Sequence, residues 1–113
     1  MGHEAAWSVR LALQAELDFS EILKWTVEQF GVRHANQYAE TLWLAIGALN
    51  AGPEILGGRK RYELGAGIRT LHVARGGRKG RHFIVFREAE GRTIDVLRLL
   101  HDSMDLPRHL AET

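Results

Sequence analysis

The spacing of apolar residues changes twice along this chain, and that change limits the possible folds more than any other feature. Residues 7–13 alternate apolar and polar, which indicates a half-buried strand. The period becomes helical over 14–30 and 33–50. Alternation then returns in three segments, at 68–74, 82–87 and 93–100. The order β-α-α-β-β-β predicts an α+β fold, with a helical hairpin packed on a small antiparallel sheet.

Glycine and proline mark the ends of the two helices. Gly31 separates them, and Gly52-Pro53 follows the second. Because about two residues join the helices, they must lie antiparallel. The start of the first helix stays open, since Asp18 and Glu21 fit a capping box while the preceding residues also favour a helix. Residues 50–67 read as a glycine-rich loop with a short extended piece at 61–64.

Length and composition exclude several classes of protein. A chain of 113 residues predicts one domain, 1–113. The chain has no cysteine, which excludes a disulfide scaffold and a cysteine-ligated metal site. No apolar run approaches the roughly 20 residues of a membrane span, and the N-terminus lacks the pattern of a secretory signal. These features predict a cytoplasmic protein, and no cofactor is expected.

Charge is distributed unevenly along the sequence. Residues 1–58 carry three basic and seven acidic groups, whereas residues 59–113 carry twelve basic and seven acidic groups. The segment 75–81, here called the basic connector, holds four cations and three glycines. It predicts a contact with an anionic partner, either nucleic acid or an acidic protein segment, with a solvated hairpin as the alternative.

The side chains that could bind metal or catalyse a reaction match no known site motif. None of the histidines makes an i,i+4 helical pair, and nothing implies the three or four converging ligands that zinc needs. No metal site is therefore predicted. Three arginines lie in predicted strands among apolar neighbours: Arg69, Arg87 and Arg98. They could converge on one face and bind phosphate or carboxylate, or they could form internal salt bridges to residues such as Asp95 or Glu63.

Several strings of residues resemble a known family. The helical strings are Leu17-Asp18-Phe19-x-x-Ile22, Phe30-Gly31-x-x-x-Ala35-x-x-Tyr38 and Leu42-x-x-x-Ile46-x-x-Leu49. A more specific string closes the chain, Leu97-Arg98-Leu99-Leu100-His101-x-x-Met104-Asp105-x-x-x-His109-Leu110. The helical strings resemble the RelE/ParE toxin superfamily, and the C-terminal string resembles its ParE branch. The resemblance covers roughly residues 9–110 and implies a RelE/ParE-like fold.

The resemblance implies the toxin of a type II toxin–antitoxin system. ParE-like toxins inhibit DNA gyrase, and a ParD-like antitoxin neutralises them. The expected assembly is a hetero-oligomer with the antitoxin, with DNA contacted only indirectly through that complex. On this reading the protein is a gyrase inhibitor and catalyses no reaction.

Two alternatives share the fold. A RelE-like toxin would cleave messenger RNA on the ribosome, with Arg69 and Arg87 as charge stabilisers and His101 as the titrating group. The last tyrosine is Tyr62, so the C-terminal tyrosine that such nucleases often use is missing. The other alternative is an inactive binding module.

Two surfaces are predicted from these patterns. Trp25 and Trp43 lie off the apolar stripes, so at least one is expected to be exposed. The predicted antitoxin contacts are Trp25, Trp43, Arg75, Arg78, Lys79 and Arg81. The predicted target contacts are Arg98, His101, Met104, Asp105, Arg108 and His109. The C-terminal segment, 101–110, is expected to be weakly anchored, and the antitoxin segment that docks is expected to be acidic and amphipathic.

Overall fold

Two long helices cover one face of a five-stranded sheet. The computed structural model describes residues 6–111, without the side chains of His109 and Ala111. The elements are β1 (Ser8–Leu11), α1 (Leu13–Phe30), α2 (Val32–Ala48), β2 (Arg59–Lys60), β3 (Ile68–His72), β4 (His82–Ala89), β5 (Thr93–His101) and α3 (Leu106–Ala111). The predicted α+β fold, a helical hairpin on a small sheet, is confirmed. No helix within residues 6–111 is long and apolar enough to cross a bilayer.

The strands lie in the order β1-β5-β4-β3-β2. The last three strands pair antiparallel as predicted and form a meander, in which His82 is the register partner of His101. β1 instead runs parallel to β5, with Val9 opposite Ile94, so the sheet is mixed. Local alternation predicts a strand but cannot encode its direction, because here the partner lies about 85 residues further along the chain.

The loop after α2 differs from the prediction. Tyr62–Leu64 forms a 3-10 turn rather than an extended piece, and the backbone N–H of Leu64 donates to the Arg61 carbonyl at 2.9 Å. The turn directs Leu64 toward a small apolar cluster. The extended piece lies just before it, where Arg59–Lys60 pairs with β3 at the edge of the sheet.

The start of α1 agrees with the earlier of the two predicted helix starts and not with the capping box. The helix begins at Leu13, so Asp18 lies inside it and is not an N-cap. The second helix ends at Ala48 and continues as a 3-10 turn until Gly52, which has a φ of +104°. Glycine therefore ends the helix as expected, because few other residues adopt this backbone conformation.

Apolar side chains form a core on each face of the sheet. The main core lies between the sheet and the helices, and its largest buried side chains are Leu42, Leu49, Leu71, Ile84, Phe86 and Ile94. The second cluster lies on the other face. Val85, Leu100 and Leu106 are its buried members, and Leu110 packs against them from α3.

Candidate functional site

The helical hairpin exposes a large apolar surface. Eight large apolar side chains of α1 and α2 are exposed: Leu13, Leu17, Trp25, Val27, Phe30, Val32, Trp43 and Leu44. Because the helices are antiparallel, the first half of α1 lies beside the second half of α2. The exposed residues therefore divide into a base patch (Leu13, Leu17, Trp43 and Leu44) and a tip patch (Trp25, Val27, Phe30 and Val32).

Both tryptophans are exposed, and they lie in different patches. Trp43 is 53% exposed and packs on Phe19 of α1, with ring centroids 4.8 Å apart. Trp25 is 55% exposed and packs edge to face on Phe30 at 5.8 Å. The prediction that at least one tryptophan is exposed is confirmed. The hairpin does not bring the two into one cluster.

Two residues of the predicted apolar stripe of α1 are exposed instead of buried. Val27 and Phe30 follow the helical spacing of the core, yet Phe30 is 59% exposed. Its ring contacts Trp25 and His34. At this end of the hairpin the aromatic side chains pack on one another, so the helical period alone overestimates the core.

The basic connector lies along α2 and is held there by hydrogen bonds. Arg78 donates to Thr41 Oγ1 at 2.8 Å and pairs with Glu40 at 3.0 Å. Arg75 donates to the Leu56 carbonyl at 3.2 Å. The connector is therefore a positioned surface beside the base patch, and Lys79 and Arg81 are its exposed cations.

Arg98 is part of a largely buried ion pair that joins the sheet to α1. Its Nε and Nη2 donate to both carboxylate oxygens of Asp18, at 2.8 and 3.2 Å. The same carboxylate accepts the backbone N–H of Leu99 at 2.9 Å. The side chains of Arg98 and Asp18 are only 13% and 11% exposed. Of the two readings of Arg98, the internal salt bridge is the one the structure contains.

The three strand arginines do not converge on one face. Arg69 pairs with Glu54 at 2.9 Å and donates to the Pro53 carbonyl at 3.2 Å. Arg87 lies opposite Asp95 in the β4–β5 register, five residues along β4 from His82. Because His82 is the partner of His101, Arg87 and His101 lie at opposite ends of this ladder, about 17 Å apart along the strands.

The C-terminal segment is better anchored than expected. Leu106 is only 7% exposed and packs on Val85 and Leu100. Met104 is 39% exposed, and Asp105 and Arg108 are also exposed. The segment therefore presents polar and apolar groups from a fixed position. The backbone of His109 lies in α3, and its side chain is outside the described part of the molecule.

A groove of about 290 Å³ lies beside this segment. The lining residues are Arg61, Glu63, Leu64, Phe83, Asp102, Met104, Asp105, Leu106 and Pro107. The guanidinium of Arg61 lies 5.2 Å from the centre of the Phe83 ring. Carboxylates and apolar carbons both line the groove, so it suits a partner side chain that has an apolar stem and a polar end.

A polar cluster at the nearby end of the sheet was not predicted from the sequence. It joins His72, His82, His101, Asp102 and Tyr38. Burial is the main cause that lowers the pKa of His82 to about 4, and the imidazole of His101 adds to it. Among the described residues, no group of three or more histidine and carboxylate side chains is arranged to hold a metal ion. The sequence does contain a signal for this cluster, since each of these histidines ends or begins one of three adjacent strands.

Solved structures share this arrangement of helices and strands. The toxin–antitoxin structure of a chromosomal ParDE system from P. aeruginosa superimposes with a TM-score of 0.71 at 21% identity, covering 87% of this chain and 98% of that one. The RelBE2 toxin–antitoxin complex of Mycobacterium tuberculosis gives a TM-score of 0.54 at 22% identity, covering 85% and 98%. At such low sequence identities, the structural similarity shows that this chain shares their fold.

Sequence comparison is more specific than the structural likeness. The toxin ParE1 of Mycobacterium tuberculosis, from strains CDC 1551 and H37Rv, is 38% identical over 99 residues, which are 88% of this chain and 91% of the relative. The model of the ParE toxin of the type II toxin–antitoxin system parDE matches residues 9–106. The chain therefore belongs to the family of ParE toxins of type II toxin–antitoxin systems.

Proposed function

We propose that this toxin inhibits DNA gyrase without catalysing a reaction, and that a ParD-like antitoxin neutralises it. The match to the ParE toxin family over residues 9–106 is the observation that carries this proposal. The RelE-like alternative requires charge stabilisers and a titrating group around one phosphate. Arg69 is paired with Glu54, and Arg87 lies at the far end of the ladder from His101. This separation supports the non-catalytic reading.

The C-terminal segment is the proposed target-binding surface. Met104 and Asp105 are exposed beside the groove, while Leu106 fixes the segment to the sheet. A recognition surface of this kind gains affinity because little conformational freedom is lost on binding. Arg98 contributes indirectly, since its ion pair with Asp18 holds the last strand against α1.

Purified components test the target directly. The toxin is incubated with gyrase, ATP and supercoiled DNA, and cleaved DNA is measured after denaturation. We expect toxin-dependent cleavage that requires gyrase, and no cleavage of messenger RNA on programmed ribosomes. The proposal is wrong if message is cut and gyrase is unaffected. If neither substrate responds, the inactive binding module replaces it.

The base patch and the basic connector form the proposed antitoxin surface. Trp43 is exposed on α2 about one turn from Glu40, which pairs with Arg78 of the connector at 3.0 Å. An apolar area next to a row of cations fits an amphipathic segment with acidic residues on one side. The second proposed element of this surface is Trp25, on the tip patch.

Substitution of Trp43 by alanine should weaken antitoxin binding. Exposed tryptophans at the centre of an interface commonly contribute about 2 kcal/mol or more, which corresponds to about 30-fold in Kd. Isothermal titration calorimetry with the purified antitoxin measures this change. Tyr62→Ala is the matched control, because Tyr62 is an exposed aromatic residue outside the hairpin (76% exposed) and should change Kd less than about 3-fold. Equal losses in both variants would contradict the proposed surface.

A further inference from the structure

The imidazoles of three histidines meet where β3, β4 and β5 end or begin. His82 and His101 are register partners, and their rings pack edge to face with centroids 5.1 Å apart. His72 lies at the end of β3, with Nε2 3.0 Å from a carboxylate oxygen of Asp102. The family comparison assigns no role to this cluster.

Two of the imidazoles have a backbone amide directed at Nδ1. The N–H of Ala74 donates to Nδ1 of His72 at 3.0 Å, and the N–H of Ser103 donates to Nδ1 of His101 at 3.1 Å. A ring nitrogen that accepts a hydrogen bond from an N–H group carries no hydrogen of its own. Both neutral rings therefore carry their hydrogen on Nε2.

Tyr38 of α2 selects the same tautomer in His82. Its Oη accepts the backbone N–H of Arg81 at 3.0 Å and lies 2.7 Å from Nδ1 of His82. If His82 donated in this contact, the hydroxyl hydrogen of Tyr38 would have no acceptor within residues 6–111. The hydroxyl therefore donates to Nδ1, and the hydrogen of His82 is on Nε2. The connector also packs closely on Tyr38, since a Cβ added at Gly80 would lie 3.2 Å from Oη.

His34 on the exposed hairpin has the opposite arrangement. Its Nδ1 lies 3.1 Å from the carbonyl oxygen of Phe30, which can only accept. Nδ1 of His34 therefore carries the hydrogen. His34 provides an internal contrast for the three clustered histidines.

We propose that His72, His82 and His101 form a histidine latch, which holds the basic connector and the start of the C-terminal segment against α2 and opens in acidic solution when His82 takes up a proton. With its hydrogen on Nε2, His82 can take up a second proton only at Nδ1, where the hydroxyl of Tyr38 already points. Protonation of His82 therefore removes the acceptor of the Tyr38 hydroxyl hydrogen and weakens the contact that positions Tyr38, the residue that also holds the Arg81 amide. The latch concerns the toxin alone and is independent of its target.

Charged groups from every neighbouring element act on His82. The imidazoles of His101 and His72 oppose its protonation, and the carboxylates of Asp102 and of Asp18 on α1 favour it. Tyr38 and Arg81 complete its surroundings. Burial outweighs the two carboxylates, so the folded protein keeps the pKa of His82 at about 4.

The sign of the pH effect follows from this lowered pKa. An unfolded or opened chain has an ordinary histidine that takes up its proton near pH 6.5, whereas the closed latch does so near pH 4. Between these values the open form binds more protons, so the closed form loses stability as the pH falls through this window. With allowance for partial exposure, the ratio of open to closed latch should rise on the order of 100-fold between pH 7.5 and pH 4.

NMR spectroscopy of the uniformly ¹⁵N-labelled toxin tests the latch. At pH 7.5 we expect the Nε2–H tautomer for all three histidines and the Nδ1–H tautomer for His34. On titration to pH 4, the protection of the Arg81 amide against hydrogen exchange should fall as His82 becomes protonated, while the amides of β1 stay protected. The latch is refuted if His82 is the Nδ1–H tautomer, or if it titrates near 6.5 while the Arg81 amide is unaffected.

Tyr38→Phe separates the latch from simple burial, because it removes the hydroxyl and keeps the ring. We expect the pKa of His82 to rise toward its ordinary value, and protection of the Arg81 amide to fall about 10-fold at pH 7.5, since the amide loses its only acceptor in the described structure. Tyr62→Phe, at an exposed position, is the control and should change neither quantity. A Tyr38→Phe variant that titrates and exchanges like the parent would show that burial alone determines the behaviour of His82.

Discussion

Asp18→Ala is expected to lower the free energy of unfolding by about 3–5 kcal/mol, the usual cost of removing one partner of a buried ion pair. The substitution leaves the guanidinium of Arg98 without its carboxylate, and it also removes the acceptor of the Leu99 amide. Both groups belong to β5, which also pairs with β1 and β4. Urea unfolding monitored by circular dichroism measures the change.

An exposed ion pair on the same strand is the control. Asp95 pairs with Arg10, whose side chain is 68% exposed, so Arg10→Ala should destabilise the protein far less than Asp18→Ala. The double variant Asp18→Leu with Arg98→Met should recover only part of the loss, because the amide of Leu99 still lacks its acceptor. A loss below about 1 kcal/mol for Asp18→Ala would mean that this pair does not join the sheet to α1.

Local patterns predicted the elements of this fold but not all of their pairing. Alternating and helical periods located both long helices and four of the five strands, since each period arises from neighbours in the chain. The pairing of β1 with β5 and the two-residue strand β2 depend on distant partners. A strand of two residues, Arg59–Lys60, is also too short to show a period.

The candidate site was predicted only in part, for a related reason. Positions off the apolar stripes identified Trp25 and Trp43 as exposed, but Phe30 lies on a stripe and is exposed as well. A helical period identifies which face of a helix is apolar, but it does not show how much of the helix length the sheet covers. The partner of Arg98 could not be predicted either, because Asp18 lies 80 residues earlier in the chain. Its local sequence also fits a capping box, which offers a different role for the same carboxylate.

The histidine cluster could have been anticipated from register. His72 and His82 flank the connector between β3 and β4, and an antiparallel meander places the end of β5 beside the start of β4. Helical spacing and metal-ligand patterns do not detect histidines that lie at the ends of strands. The hydrogen bonds of Tyr38 come from a helix and need the three-dimensional structure.

The packing of Leu106 changes how the role of the C-terminal segment should be tested. A weakly anchored segment could be removed after Leu100 with little loss of stability. The structure instead places Leu106 and Leu110 on the second apolar cluster. Removing a buried leucine commonly costs about 2–5 kcal/mol, so a truncated chain would lose activity through unfolding. Exposed residues of the segment provide a cleaner test.

The double substitution Met104→Ala with Asp105→Ala should abolish growth inhibition while changing the free energy of unfolding by less than about 1 kcal/mol. Both side chains are exposed beside the groove, and neither belongs to the second apolar cluster. Loss of two central contacts of about 1.4 kcal/mol each should lower the affinity for the target about 100-fold. Plating efficiency after induction measures the resulting loss of toxicity and should rise well above that of the parent toxin.

Leu106→Ala is the matched control for a purely structural role of this segment. It should destabilise the protein by about 2–5 kcal/mol and reduce toxicity only as far as the folded fraction falls. Antitoxin binding should persist in the double variant, because the proposed antitoxin surface lies on the hairpin and the connector. If the double variant is as toxic as its parent, the target contacts lie elsewhere on the molecule. The exposed apolar surface of the hairpin would then have to bind both partners, and gyrase and antitoxin would compete for Trp43.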